Sequence, residues 1–206
     1  MAKRISKALR NDDSCMTKHS HKFEADGDFM GHLEGEERQS KIPAVEVVQR
    51  MGLSGDETVV DLGAGTGYFT FPIAKLSHKV VAVDFEPKMI SVLNKRISES
   101  GAANVQPLEA EMTSVPLPDA SADRILAAFV YHEVDSQERL LKECHRLLRP
   151  SGKLTVIDFQ KRLTGDGPPI WVRKKPEHVL ATAGSMFKLV GRHDTKVFYQ
   201  LELEKQ

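Results

Sequence analysis

Apolar positions along the chain change period several times, and each change marks a predicted element. Val59-Val60 and Val80 to Val83 are short β-branched runs, each closed by an aspartate, Asp61 and Asp84. Between them a glycine cluster (Gly63, Gly65, Gly67) precedes about ten residues of mixed apolar pattern. Short apolar runs flanking a longer periodic segment predict a β-α-β unit within a buried parallel sheet. Upstream, Val45, Val48 and Met51 fall at helical spacing behind Pro43, so a helix is expected from Pro43 to Met51, stopped by Gly52. Downstream, Glu86-Pro87 opens a helix to about Ser100 with Ile90, Leu93 and Ile97 as its buried stripe, and Gly101 breaks it. Val105 to Leu108 reads as a third strand, which Pro107 places toward a sheet edge. A fourth strand, Arg124 to Phe129, is followed by a helix over 135–149 whose apolar face holds Leu140, Leu141, Cys144, Leu147 and Leu148. After the turn Arg149-Pro150-Ser151-Gly152 comes a fifth strand, Lys153 to Phe159. A short helix, about Pro176 to Ala183, leads to strands Phe187 to His193 and Val197 to Leu203 around an Asp194-Thr195 turn. In the last strand Val197, Tyr199, Leu201 and Leu203 should face one way, and Gln200, Glu202 and Glu204 the other.

Length then limits the organisation. With 206 residues there is room for one well-buried α/β domain and little more. A flexible basic tail is expected over 1–20 and a single domain over 21–206, made of lid and helices (21–55), a core (56–160) and a substrate-side loop with a C-terminal hairpin (161–206). Lys and Arg balance Asp and Glu at 29 each, which disfavours a dedicated nucleic-acid binder. No apolar run approaches the roughly 18 residues needed to span a bilayer, so no membrane partner is expected. The basic start lacks the apolar core of a secretory signal, and two cysteines, Cys15 and Cys144, make no disulfide framework. A cytoplasmic location is the expectation, and no metal site is expected, since His19 and His21 have no Cys or carboxylate at ligand spacing nearby.

Candidate chemistry begins at the glycine cluster. A strand-to-helix turn of glycines lets a ligand approach the backbone closely. An acid ending the next strand, here Asp84, is placed to accept hydrogen bonds from both hydroxyls of a ribose. The core therefore binds a ligand that contains a nucleoside. The dinucleotide pattern read from Gly63 needs glycine at 68, where this chain has Tyr68. Asp61, ahead of the glycines, would repel a diphosphate but suits a ligand carrying ammonium and sulfonium charges. The run Asp61 to Gly67 and the acid Asp84 resemble the first motif and the ribose-binding acid of the class I S-adenosylmethionine-dependent methyltransferases, of the small UbiE-like, type 11 kind. LLRPSGKLTVIDF resembles that superfamily's helix–turn–strand ending, so the likeness spans about Val59 to Phe159.

The resemblance implies an α/β fold: a three-layer α-β-α sandwich on a seven-stranded, mostly parallel sheet with an antiparallel C-terminal strand. It implies S-adenosylmethionine as cofactor, with S-adenosylhomocysteine as product, held by Asp61, Gly63, Ala64, Gly65, Gly67, Asp84, Phe85, Glu111, Met112 and Phe129. Met89 joins Phe85 as a candidate against adenine or ribose. Glu111 stands where the superfamily usually has Asp as acceptor for the adenine amine, and Glu109 competes for that place. At the end of the fourth strand His132 should face the transferable methyl group, as general base or as a group that orients substrate. Tyr131 and Glu133 are weaker candidates.

Less is implied about the acceptor. Motifs of base amino-group methylation and of cytosine C5 methylation are absent, and two cysteines do not suit arsenic methylation. A small molecule is expected first and RNA or protein second. The loop 160–176, with Lys161, Arg162, Arg173, Lys174, Lys175 and Trp171, suggests an anionic or planar compound or else a solvated connector. Phe23, Phe29, Met30 and Leu33 are expected either to lie over the pocket or to pack on the surface. A nicotinamide-dependent reductase and a non-catalytic cofactor-binding subunit remain the rival readings. A monomer or homodimer fits equally.

Overall fold

The computed structural model describes residues 35–163 and 167–206. The expected tail with Cys15 and His19, His21 beyond it, the four apolar lid residues and Asp166 lie outside the described residues. Two short helices come first, α1 (Glu36–Lys41) and α2 (Ala44–Arg50). Alternation then sets in: β1 (Thr58–Leu62), α3 (Thr70–Ala74), β2 (Lys79–Asp84), α4 (Pro87–Ser100), β3 (Val105–Glu109) and β4 (Ala122–Ala128). The chain ends with α5 (Gln137–Leu147), β5 (Leu148–Phe159), α6 (Pro176–Ala183), β6 (Phe187–Asp194) and β7 (Phe198–Lys205).

The seven strands form one sheet in the order β3-β2-β1-β4-β5-β7-β6. β1 pairs in parallel with β2 and β4, and only β7 runs against its neighbours β5 and β6. Each face carries its own core. Leu140, Leu141 and Leu147 of α5 and Val179 of α6 pack on one side, and Val47 and Val48 of α2, Ile73 of α3 and Leu93 of α4 on the other. The result is the expected three-layer sandwich. Strand order reverses between β1 and β4, and ligands of open α/β sheets bind beyond the strand C-termini at such a reversal.

Local signals explain most boundaries. Glu86 caps α4 by accepting from Lys88 N–H at 3.4 Å, Pro87 is its first residue, and Gly101 ends it at φ 67°. Pro107 sits on β3, an edge strand paired only with β2, where a missing N–H costs nothing on the open side. Cys144 is fully buried in α5's apolar face, and burial pushes its thiol far up, so it packs as a small hydrophobe.

Four expectations change. Val45 is 59% exposed, because α2 buries Ala44, Val47, Val48 and Met51, an i, i+3, i+4, i+7 stripe in which the small Ala44 counts as core. In α4, Met89 and Leu93 are buried while Ile90 and Ile97 are only partly covered. The helix after the glycines shrinks to five residues, since the turn consumes the chain up to Phe69. Gln200 is buried, not outward, because β7 lies inside the sheet under α2; its amide donates to Val47 O at 3.3 Å and accepts from Arg50 Nε at 3.2 Å.

Candidate active site

The glycine turn is built by backbone geometry. Gly63, Gly65 and Gly67 hold φ of 70°, 55° and 94°, a region open at little cost only to glycine. Their jobs differ. A Cβ on Gly65 would meet nothing within 4 Å, so this glycine leaves its approach open to a ligand. A Cβ on Gly67 would come within 2.6 Å of the Phe71 ring and 2.9 Å of Leu93, so this glycine serves helix packing. On Gly63 a Cβ would strike Val130. The turn is tied to β2: Gly63 and Ala64 N–H donate to Val83 O at 2.8 and 2.9 Å. Asp84 completes the tie, accepting Gly65 N–H at 2.8 Å and Glu86 N–H at 2.9 Å through opposite oxygens.

Above the strand ends opens a cavity of about 640 Å³. Of the predicted residues, Gly63, Ala64, Gly65, Asp84, Phe85, Met112, Phe129 and His132 line it, as do Met89 and Glu133. Asp61, Gly67, Glu111 and Glu109 do not. Asp61 lies behind the wall, accepting Thr70 Oγ1–H at 2.6 Å, and Glu111 and Glu109 are exposed on the surface beside the site. The wall also takes Arg38 and Lys41 of α1, Tyr68 and Phe159. Tyr68 stands where a dinucleotide fold would keep glycine, and its hydroxyl donates to Ile42 O at 2.6 Å, clamping the turn to the helices in front of it.

Phe129 is held in an unusual state. It has φ 61°, a left-handed value that costs a non-glycine residue free energy. Its N–H donates to Ile157 O at 2.7 Å, and its ring packs on Phe159, Phe69 and Phe198 at centroid distances of 4.6, 6.3 and 6.3 Å. The bend turns the chain out of β4 and delivers His132 to the cavity.

His132 is fixed by β5. Its Nδ1 lies 2.7 Å from Asp158 Oδ1, and its backbone N–H donates to Asp158 Oδ2 at 3.1 Å. With Nδ1–H given to Asp158, Nε2 is the nitrogen left for a ligand, 3.8 Å from Glu133 Oε1. Burial alone would lower the imidazolium's pKa, but the Asp158 hydrogen bond and charge outweigh it and the net shift is upward. Three acids surround the site with raised pKa, each chiefly through burial: Asp84, Glu133, and Asp61, which is pushed up to about 7. Such a concentration of costly buried carboxylates favours a cationic ligand.

Residues 60–156 match the methyltransferase domain family. Over that stretch, just under half of the chain, it is similar to the methyltransferase domains of this family. The UbiE C-methyltransferase of ubiquinone/menaquinone biosynthesis from Hahella chejuensis is 31% identical over 118 residues, 55% of this chain and 47% of that protein. The same enzyme from Escherichia fergusonii is 31% identical over 114 residues, covering 53% and 45%. The chain thus spans about half the length of these curated relatives. A crystal structure of an S-adenosylmethionine-dependent methyltransferase from Aquifex aeolicus superposes with TM-score 0.82 at 24% identity, over 89% of this chain and all of that one. The [4+2]-cyclase SpnF superposes at 0.73 with 18% identity, over 84% of each chain, so the architecture alone does not specify the reaction.

S-adenosylmethionine is the cofactor that the likeness to this methyltransferase domain family implies, and the residues present fit it. Gly65 leaves room where a side chain would intrude, Asp84 offers acceptors at the ribose position, and the buried acids suit the sulfonium and ammonium charges. No helix among the described residues is long and apolar enough to cross a membrane. Also among them, no group of three or more His, Cys, Asp or Glu side chains is placed to hold a metal. Asp158 and Arg38 escaped the sequence reading. Asp158 had a usable signal, an acid closing an apolar strand as Asp84 does; Arg38, in the polar stretch EERQSK, had none.

Proposed function

We propose that this chain transfers the methyl group of S-adenosylmethionine to a small, planar acceptor held between the glycine turn and the aromatic wall. The observation that carries this reading is the rigid wall itself, Phe129 braced by three rings, with the His132–Asp158 pair at its edge. Flat aromatic surfaces around a cavity of this size suit a small ligand. The UbiE relatives are named C-methyltransferases, which supports carbon as an acceptor atom beside oxygen and sulfur.

The bound cofactor supplies an electrophilic methyl group on a sulfonium. The chain's own residues do the rest by position. Asp84 and the Gly63–Gly65 turn orient the nucleoside half, Phe129 and Phe159 hold the acceptor plane, and His132 Nε2 takes the proton that the acceptor loses. Orientation of this kind can supply roughly 7–11 kcal/mol of a barrier.

Asp84→Ala should weaken S-adenosylmethionine binding by about 1–3 kcal/mol, the worth of lost charge-assisted hydrogen bonds; unchanged affinity by calorimetry would remove Asp84 from the ribose site. The acceptor reading is tested with methyl-labelled S-adenosylmethionine and three pools: phenols, thiols and activated ring carbons; total RNA; and protein. Label in the first pool supports it, and label only in RNA or protein overturns it.

A further inference from the structure

One cation in the cavity lacks a counterpart. The Arg38 guanidinium lies 4.7 Å from the Tyr68 ring centre and 5.8 Å from that of Phe129, and its Nε is buried without a hydrogen-bond partner. The other cation of α1 is already matched, Lys41 Nζ standing 2.7 Å from Glu37 Oε1. Among the described residues no carboxylate pairs with Arg38, and burial pulls its pKa below the ordinary value. The two ring faces offset part of the cost of removing this charge from water. They leave the planar fork of donors, the geometry that matches a carboxylate two bonds at a time, unsatisfied on the cavity side.

We propose that Arg38 is the carboxylate anchor of this cavity, taking a carboxylate that the bound ligand brings. Two sources share that chemistry: the α-carboxylate on the methionine half of the cofactor, and a carboxylate on the acceptor. The first source rests on the methyltransferase reading; the anchor itself does not. Of the other charged side chains on the wall, Glu37, Asp84, Glu86 and Glu133 are acids and Lys41 and His132 already stand against one, so Arg38 is the group there able to neutralise an anion.

The test is calorimetric titration of the full chain and of Arg38→Met with S-adenosylmethionine and with decarboxylated S-adenosylmethionine. Benzoate is then titrated into each protein, with and without saturating S-adenosylhomocysteine. If the cofactor supplies the carboxylate, the wild type binds the decarboxylated form roughly 10–100-fold more weakly, and Arg38→Met binds both forms alike. If the acceptor supplies it, the two forms bind alike and benzoate binds the wild type but not the variant. Arg38→Lys, which keeps the charge without the fork, should fall between wild type and Arg38→Met. A wild type that neither discriminates the two cofactor forms nor binds benzoate overturns the proposal without any variant. So does an Arg38→Met protein that reproduces both wild-type responses. Failure of the wild type to bind S-adenosylmethionine at all brings down the methyltransferase reading instead, while benzoate binding to the ligand-free protein still decides on Arg38.

Discussion

His132→Gln should lower kcat by roughly 10²–10⁴-fold, the usual worth of a positioned general base, while changing cofactor Kd by no more than about threefold. Initial rates with the acceptor found by the labelled pools measure this. The pH profile separates proton transfer from mere packing. The working base is neutral His132, so the rate falls as pH drops through its pKa, which the Asp158 partnership holds above the ordinary value despite the opposing effect of burial. In Asp158→Asn burial dominates, and the acid limb should move to lower pH while the plateau drops because the ring is no longer held. The same pairing has a stability signature. A raised histidine pKa contributes stability in full below the unfolded value near 6.5, and that contribution is lost as pH rises through the folded value. A His132→Gln enzyme with unchanged kcat, or an Asp158→Asn profile that does not move, would leave His132 as a wall residue only.

Asp61→Asn should stabilise the ligand-free protein at pH 8 and weaken its grip on the cofactor. Burial, and secondarily the nearby charge of Asp84, pushes the Asp61 carboxyl up from 3.8 to about 7, against the Thr70 hydrogen bond that favours its ionised form. For a carboxyl raised in the folded state, wild-type stability is untouched below the unfolded pKa, falls as pH rises from there, and carries the whole penalty above about 7. That penalty is roughly 4 kcal/mol, so Asp61→Asn should gain about 2–4 kcal/mol at pH 8, allowing for the amide's extra donor, and almost nothing at pH 4. Denaturant unfolding at the two pH values reads the difference. Binding a ligand with sulfonium and ammonium charges favours ionised Asp61, so S-adenosylmethionine binding at pH 7 should release protons, fewer with S-adenosylhomocysteine, and the Asp61→Asn protein should release fewer still. Binding heats compared in phosphate and Tris buffers measure this. A variant that is less stable at pH 8, with no buffer dependence in the wild type, would show that Asp61 is ionised before the ligand arrives.

The sheet was legible because parallel strands buried on both faces are written as unbroken β-branched runs, and Val59-Val60 and Val80 to Val83 stand out from any helical pattern. The edge position of β3 was legible in Pro107 for an equally local reason. What failed needed neighbours in three dimensions. Val45 and Val47 are equivalent as sequence, and only the placement of α2 over Gln200 of β7 decides which is buried. Gly65 and Gly67 look alike in the motif, yet one faces open space and the other is packed by Phe71 and Leu93. Phe129 was placed near the ligand, but its left-handed backbone depends on rings from α3's start, β5 and β7. The strand-end acids Asp61 and Asp84 carry the same signature and occupy different layers, one behind the wall and one on it.

The most direct test of the whole scheme is calorimetric titration of the purified chain with S-adenosylmethionine and, separately, with NADH. Micromolar binding of S-adenosylmethionine alone, weakened in Asp84→Ala, is the expected result. Binding of NADH in its place would mean that the turn led by Asp61 and closed by Tyr68 accepts a diphosphate, and the chain would be a nicotinamide-dependent enzyme.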